Sequence, residues 1–384
     1  MNGAPVPRQP SVVGRRLRRL ALLAVIVVVQ FQIFEAGLRL WGSSEAAPSF
    51  QGLFEDDPAA GYRLKPNARI RFATSEFDTE IAINGAGVRD DEELGPKGPN
   101  ERRIVILGDS IVLSVQVSFG QTFGELLETT LNERSRGVRY RVVNAGVQGY
   151  GPIEEMLAFR RLAHTFQPDV VLMVVFVAND AEEAYGSRSK LDPDAQQTAA
   201  AISESLLTRL RRLVRRSMVL QIVRLRVNAA TARFRTFTPP EPPAQSYAAE
   251  MPPRVAEGLT IARDAFQTIA EDAGQLGARS ALVLMPARFQ VDEGDYGRLR
   301  DIIKDAGGEL VRDAASVRFD EALSDLPLPR FDVLPAFRRA LPGPHLFFQT
   351  TVHLTPRGHR VVADALADFL AREGLVEDAE TMGR

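Results

Sequence analysis

The chain has 384 residues, of which 45% are hydrophobic, 25% charged and 7% aromatic. That balance excludes a disordered chain, a fibrous repeat and a polytopic membrane protein, and it supplies enough apolar material for one large domain or two modest ones. With 47 Lys and Arg against 49 Asp and Glu the formal net charge is −2, so no global field draws the chain to nucleic acid, and the absence of cysteine excludes disulfides, thiolate metal ligands and a Cys nucleophile.

Residues 1–19 carry five arginines (Arg8, Arg15, Arg16, Arg18 and Arg19) and no acid. An apolar run, LALLAVIVVVQFQIF, covers Leu20–Phe34 and extends with Glu35 and Arg39 to Trp41. Spanning a hydrocarbon layer takes about 20 residues. Residues 20–41 reach that length if Glu35, Arg39 and Trp41 sit at the far interface, and the arginine cluster then stays cytoplasmic. The expectation is a single-pass signal anchor at 20–41 behind a cytoplasmic basic tail at 1–19. Everything after it is extracytoplasmic, and periplasmic in a cell with an outer membrane. A cleaved signal peptide, with a small-residue site at Ser44-Glu45-Ala46, and a buried soluble helix are the alternatives.

Residues 42–100 read as a linker with a small β region. ARIRFATSEFDTEIAIN (68–84) alternates like a strand and ends on the Asn84-Gly85 turn, which suggests a hairpin. From residue 101 to the end an α/β alternation follows. Apolar runs at RIVILG (103–108), RYRVVNAGV (139–147), PDVVLMVVFV (168–177) and ALVLMPA (281–287), with RFDVL (330–334) as a fifth, alternate with amphipathic helices. Continuous apolar strands separated by helices indicate a parallel sheet covered on both faces. An insertion, about 186–275, holds an arginine-rich stretch, LLTRLRRLVRRSMVLQIVRLRV, and a Pro-rich loop. The stretch reads as a helix packed on the domain or lying on an anionic membrane surface.

Ligand sites in parallel α/β sheets lie at the carboxyl ends of the strands, and unusual polar residues gather there. Gly108-Asp109-Ser110 follows the first strand, where a sharp turn exposes a nucleophile. Asn144–Gly151, rich in glycine, follows the second, where a backbone N–H can approach a ligand. Asn179-Asp180 closes the third, and an Asn amide suits an oxyanion. Near the C-terminus, Thr355 fits a helix N-cap with Pro356 at the first helical position. That leaves His353 in the loop before the helix, while His359 falls inside it. Of the remaining histidines, His164 and His345 have no motif. No HExxH, GxxxxGK[ST] or GxGxxG after a strand occurs, so neither a metal nor a nucleotide cofactor is expected.

These four segments, in this order, resemble the blocks of the SGNH (GDSL-type) hydrolase superfamily. GYRLKPN and INGAGVR also resemble the membrane-anchored bacterial envelope members of that superfamily. The resemblance implies a three-layer α/β/α sandwich around a parallel sheet. It implies an acyl-serine mechanism with Ser110 as nucleophile and His353 as base. The oxyanion hole would be formed by the N–H groups of Ser110 and Gly149 (Gly146 being the competing alignment) and the Asn179 amide. The expected activity is that of an esterase or O-acyltransferase on acyl or acetyl esters, with an envelope polysaccharide as substrate and no nucleic-acid partner.

The pattern departs from the family in two respects: the stretch after Ser110 reads IVLSVQV, without the glycines often found in anchored relatives, and the carboxylate before the histidine is missing. An Asp usually precedes the catalytic His by two or three residues, and here Thr351 and Thr350 stand there. A Thr hydroxyl, a backbone carbonyl, or Asp332 or Asp180 brought near by folding would have to orient the ring instead. A catalytically impaired glycan-binding or assembly protein of the envelope is therefore the alternative function.

Overall fold

The structure, a computed structural model, describes Phe50, residues 52–192 and 245–377, and helical pieces within residues 22–37. The chain divides into two compact units, one of residues 48–201 with 240–384 and the other of residues 1–47 with 202–239. The second unit lies largely outside the described residues, which leave out the whole basic tail and arginine-rich stretch and part of the expected anchor. Among the described residues no helix is long and apolar enough to cross a membrane.

Two antiparallel hairpins open the first unit. β1 (Phe54–Asp57) pairs with β2 (Gly61–Leu64), and β3 (Arg69–Ala73) pairs with β4 (Asp78–Ala82). The second is the hairpin expected from the 68–84 alternation, although its reversal falls at Thr74–Phe77. The first lies in a segment read as linker. Its strands are four residues each, too short for period-2 alternation to stand out from turn residues.

The sheet follows. β5 (Glu101–Leu107) leads into α1 (Ser110–Leu113) and α2 (Phe123–Arg134); β6 (Arg139–Asn144) into α3 (Pro152–Phe166); β7 (Val170–Phe176) into α4 (Asp180–Ser187) and α5 (Pro253–Gln275); β8 (Arg279–Met285) into α6 (Arg288–Val291), α7 (Glu293–Asp305) and α8 (Ala314–Ala322); and β9 (Arg330–Asp332) into α9 (Leu334–Arg339) and α10 (Pro356–Arg372). All five strands are parallel, in the order β6-β5-β7-β8-β9. Along β5, Val105 and Leu107 enter one core with Phe159 of α3 and Phe266 of α5. Ile104 and Ile106 enter the opposite core with Leu127 of α2 and Leu366 of α10. Two cores on the two faces of one sheet make the three-layer α/β/α arrangement. Each fully buried Leu, Ile or Phe contributes about 1.5–3 kcal/mol.

One boundary needs correction. Residues 253–275 were expected to belong to the insertion, but they form α5, which packs on α3 and α4 and lies in the crossover from β7 to β8. Their pattern, with Val255, Leu259, Ala262, Phe266, Ile269 and Ala273 buried, is that of a core-facing helix.

A third, smaller core joins the hairpins to the site edge of the sheet through Leu64, Phe72, Ile81, Leu113, Val115, Val147 and Tyr150. Arg89, fully buried, donates to the carbonyls of Leu113, Ser114 and Val117. It thereby ties the N-terminal β region to the loop just beyond Ser110. Burial pulls its guanidinium pKa down to about 10.

Candidate active site

In this strand order the chain's direction of travel reverses between β5 and β7, and ligands of such sheets bind at the carboxyl edge of that switch point. Ser110 follows β5 and Asn179 follows β7, so the two flank it. Asp109 caps α1, its Oδ1 accepting the Ile111 N–H at 2.8 Å, as a turn-fixing Asp does. Ser110 is 8% exposed, and its hydroxyl donates to Asp109 Oδ2 at 3.5 Å, a long and weak contact.

The loop after β6 carries both candidate glycines. A Cβ on Gly146 would lie 2.5 Å from Leu113 N and 2.6 Å from Val112 Cβ, so its lack of a side chain serves the packing of α1. Its N–H is already taken by Asn144 Oδ1 at 3.1 Å. Gly149 adopts φ +70°, a left-handed conformation suited to glycine. Among the described residues its N–H has no acceptor. Of the two, Gly149 has the donor to spare. The first hairpin steadies this loop, because Tyr62 donates to the Gln148 carbonyl at 2.7 Å and Tyr150 donates back to the Tyr62 carbonyl.

Asn179 stands at the head of α4. Its amide Nδ2 donates to Glu183 Oε1 at 2.8 Å, and its Oδ1 is buried without a partner among the described residues. An amide nitrogen carries two hydrogens, so one remains when Glu183 holds the other.

His353 precedes α10, whose N-cap is Thr355, accepting the Gly358 N–H at 3.2 Å. The loop before it is fastened to the start of α6, just past the carboxyl end of β8, since Arg288 donates to the carbonyls of Phe348, Gln349 and Thr351. This brings it to the same carboxyl edge. Both ring nitrogens of His353 are buried and, among the described residues, unpartnered, and burial lowers its pKa to about 4. Neither carboxylate considered as an orienter serves: Asp332 accepts the Leu334 N–H and Asp180 the Phe176 N–H, each at 2.9 Å. His359 plays a structural part, accepting the Phe123 N–H at Nδ1 and stacking on the Phe123 ring.

The sequence reading missed a set of acids behind the switch point. Asp109, Glu155, Asp180 and Glu183 are drawn from β5–α1, α3 and α4; burial raises all four pKa values, and repulsion from neighbouring acids adds to it for Glu155, Asp180 and Glu183. Asp109 reaches about 6 and Glu183 about 8. Glu155 is 2% exposed and Asp180 fully buried; both oxygens of Glu155, Asp180 Oδ1 and Glu183 Oε2 lack partners among the described residues. Unpaired charge there would cost several kcal/mol, so such groups keep protons instead. Among the described residues no group of acids and histidines is arranged to hold a metal ion. The available signal was the doublets Glu154-Glu155 and Glu182-Glu183, each a few residues past a motif.

No family model matches the chain, and no curated protein does. Solved structures similar to it include that of TesA (13% identity, TM-score 0.40, covering 72% of this chain and 100% of that one). Another is Axe2, an acetylxylan esterase from Geobacillus stearothermophilus (12%, TM-score 0.39, 70% and 94%). A third is LAE5, an alpha/beta hydrolase enzyme from the metagenome of Lake Arreo, Spain (17%, TM-score 0.38, 72% and 97%).

Proposed function

We propose that the chain is an SGNH-type serine esterase or O-acyltransferase that cleaves acyl or acetyl esters, with an envelope glycan as their carrier. It is held by residues 20–41 on the outer face of the cytoplasmic membrane. The observation that carries the reading is the convergence at one sheet edge: Ser110 and Asn179 flank the switch point, Gly149 offers a spare N–H, and the loop of His353 is fastened to the same edge with its imidazole uncharged and unpaired.

In this reading Ser110 Oγ attacks the acyl carbonyl carbon while His353 takes its proton. The carbonyl oxygen becomes an oxyanion held by the Gly149 N–H, the free hydrogen of the Asn179 amide and the Ser110 N–H. Collapse expels the alkoxide, which takes the proton from His353 and leaves acyl-Ser110. Water or a sugar hydroxyl, deprotonated by His353, then releases the acyl group. Without substrate, Ser110 bonds Asp109 rather than His353; catalytic hydrogen bonds often close only in the substrate complex.

The test is labelling of the full chain, in detergent, with a fluorophosphonate probe, alongside hydrolysis of an aryl acetate. Ser110-dependent labelling supports the reading, and its absence together with no hydrolysis refutes it. Two further outcomes are expected. Replacing Asn179 by Ala should lower kcat by about 10²–10³, the usual effect of losing one oxyanion donor, measured by steady-state kinetics. The labelling rate, which needs neutral His353, should hold on acidification through pH 6.5 and fall only near the depressed value of about 4, read as a pH–rate profile. A break near 6.5 would mean the working base is an ordinary solvated imidazole.

A further inference from the structure

His353 faces a physical problem: a general base must hold its ring in one place, yet among the described residues its ring nitrogens have no partner and the usual Asp is missing. Its position must therefore come from the backbone that carries it. That backbone is a short loop. Phe347 and Leu354 form an antiparallel bridge, and the Phe348 N–H donates to the His353 carbonyl at 3.0 Å. The apex at Gln349 and Thr350 is exposed to solvent and would move freely if nothing held it.

Two side chains of opposite charge grip it. Glu76, in the turn of the second hairpin, accepts the Gln349 N–H at 2.7 Å and the Thr350 N–H at 2.8 Å, and also takes the Thr350 hydroxyl. Arg288 donates one nitrogen to three carbonyls of the same loop, Phe348 and Gln349 at 2.8 Å and Thr351 at 3.0 Å. The acid takes the loop's donors and the base its acceptors. Both grips are themselves anchored. Thr74 Oγ1 accepts the Glu76 and Phe77 N–H groups at 3.1 and 3.3 Å, the Phe77 ring packs on Phe348 at 5.3 Å, and Asp295 pairs with Arg288. The loop's donors and Arg288 hold the Glu76 carboxyl below its ordinary pKa, so it stays charged at neutral pH.

We propose that Glu76 and Arg288 are positioning residues that clamp the His353 loop and so set the imidazole's place at the site edge, doing from the backbone what a carboxylate on the ring would otherwise do. This deepens the Ser–His reading and rests on it. The charged groups felt by the histidine pair on this edge are few: His353 is shifted by burial, and His359 by burial with Arg89 and His353. A released loop would let the His353 ring reach water, which raises its pKa.

The experiment is an NMR titration of the full chain labelled at the histidine ring carbons, with His353 assigned from the His353→Gln spectrum, in wild type, Glu76→Ala, Glu76→Gln and Arg71→Ala. Arg71 pairs with Asp78 on the same hairpin and controls for general loosening. The expected midpoint of His353 rises in Glu76→Ala by about one unit or more toward 6.5, rises less in Glu76→Gln, which keeps one acceptor oxygen, and stays put in Arg71→Ala. In ester hydrolysis Glu76→Ala should lose about 10- to 100-fold in kcat with KM within about twofold. An unmoved His353 midpoint in Glu76→Ala overturns the clamp, as does an equal shift in Arg71→Ala. Because the titration needs no turnover, a shifted midpoint in a wild-type background without esterase activity refutes the Ser–His reading while supporting the clamp.

Discussion

Replacing Ser110 by alanine should abolish fluorophosphonate labelling and lower acetyl-ester turnover by about 10⁴-fold or more, as loss of the nucleophile does in Ser–His enzymes. The variant should fold as the wild type does. Its hydroxyl makes one long contact, 3.5 Å to Asp109, while the start of α1 is fastened by Asp109 Oδ1 on the Ile111 N–H and by Ser114 N–H on the Ser110 carbonyl. Neither bond involves Oγ. Equal melting temperatures with lost turnover would therefore place the effect in chemistry. Turnover surviving in Ser110→Ala would move the nucleophile elsewhere, and with it the meaning of the whole edge. Full function of Ser110→Ala in a deletion strain would favour the glycan-binding alternative.

The sheet was legible because its strands are buried on both faces: Val170–Phe176 is seven consecutive buried residues, which a sequence displays as an unbroken apolar run. That Ser110, Gly149 and Asn179 lie at one edge of the sheet was legible for a related reason, since each sits in the segment that follows such a run and the carboxyl ends of parallel strands share one edge. What escaped was held by contacts distant in sequence. Glu76 meets Gln349 and Thr350 across some 273 positions, and nothing in TSEF marks that acid as different from its neighbours. The same holds for Arg288. Glu155 gave a misleading signal: in a polar doublet at the start of a helix it looks like a favourable charge near the N-terminus, yet the fold buries it against Asp109 and Glu183. α5 was lost because a Pro-rich stretch precedes it and the basic stretch before that drew the boundary too far along.

Changing Glu155 to Gln should make the protein more stable at alkaline pH and flatten the dependence of its stability on pH. The sign follows from proton binding. Carboxyls whose pKa is raised on folding bind more protons in the native than in the unfolded state above their ordinary value of about 4.5, so stability falls as pH rises through the native values. The carboxyls of Asp109, Glu155, Asp180 and Glu183 all rise on folding, and they titrate as one set rather than as four independent groups. For Glu183 alone, a rise from 4.5 to about 8 corresponds to about 5 kcal/mol at most. Urea midpoints of the wild type should drop between pH 5.5 and 8.5 by an amount worth several kcal/mol. The glutamine side chain mimics the protonated acid in shape while holding no titratable proton, so the Glu155→Gln variant should lose less over the same range and exceed the wild type at pH 8.5. The depressed histidines act on the opposite side: with native values of about 4 and 3 for His353 and His359, their contribution is lost as pH falls below 6.5. They therefore leave the alkaline limb to the acids. A wild type whose midpoint is flat from pH 5.5 to 8.5 would mean that these carboxyls ionise in the native state without penalty, and the proton-holding core behind Ser110 would not exist.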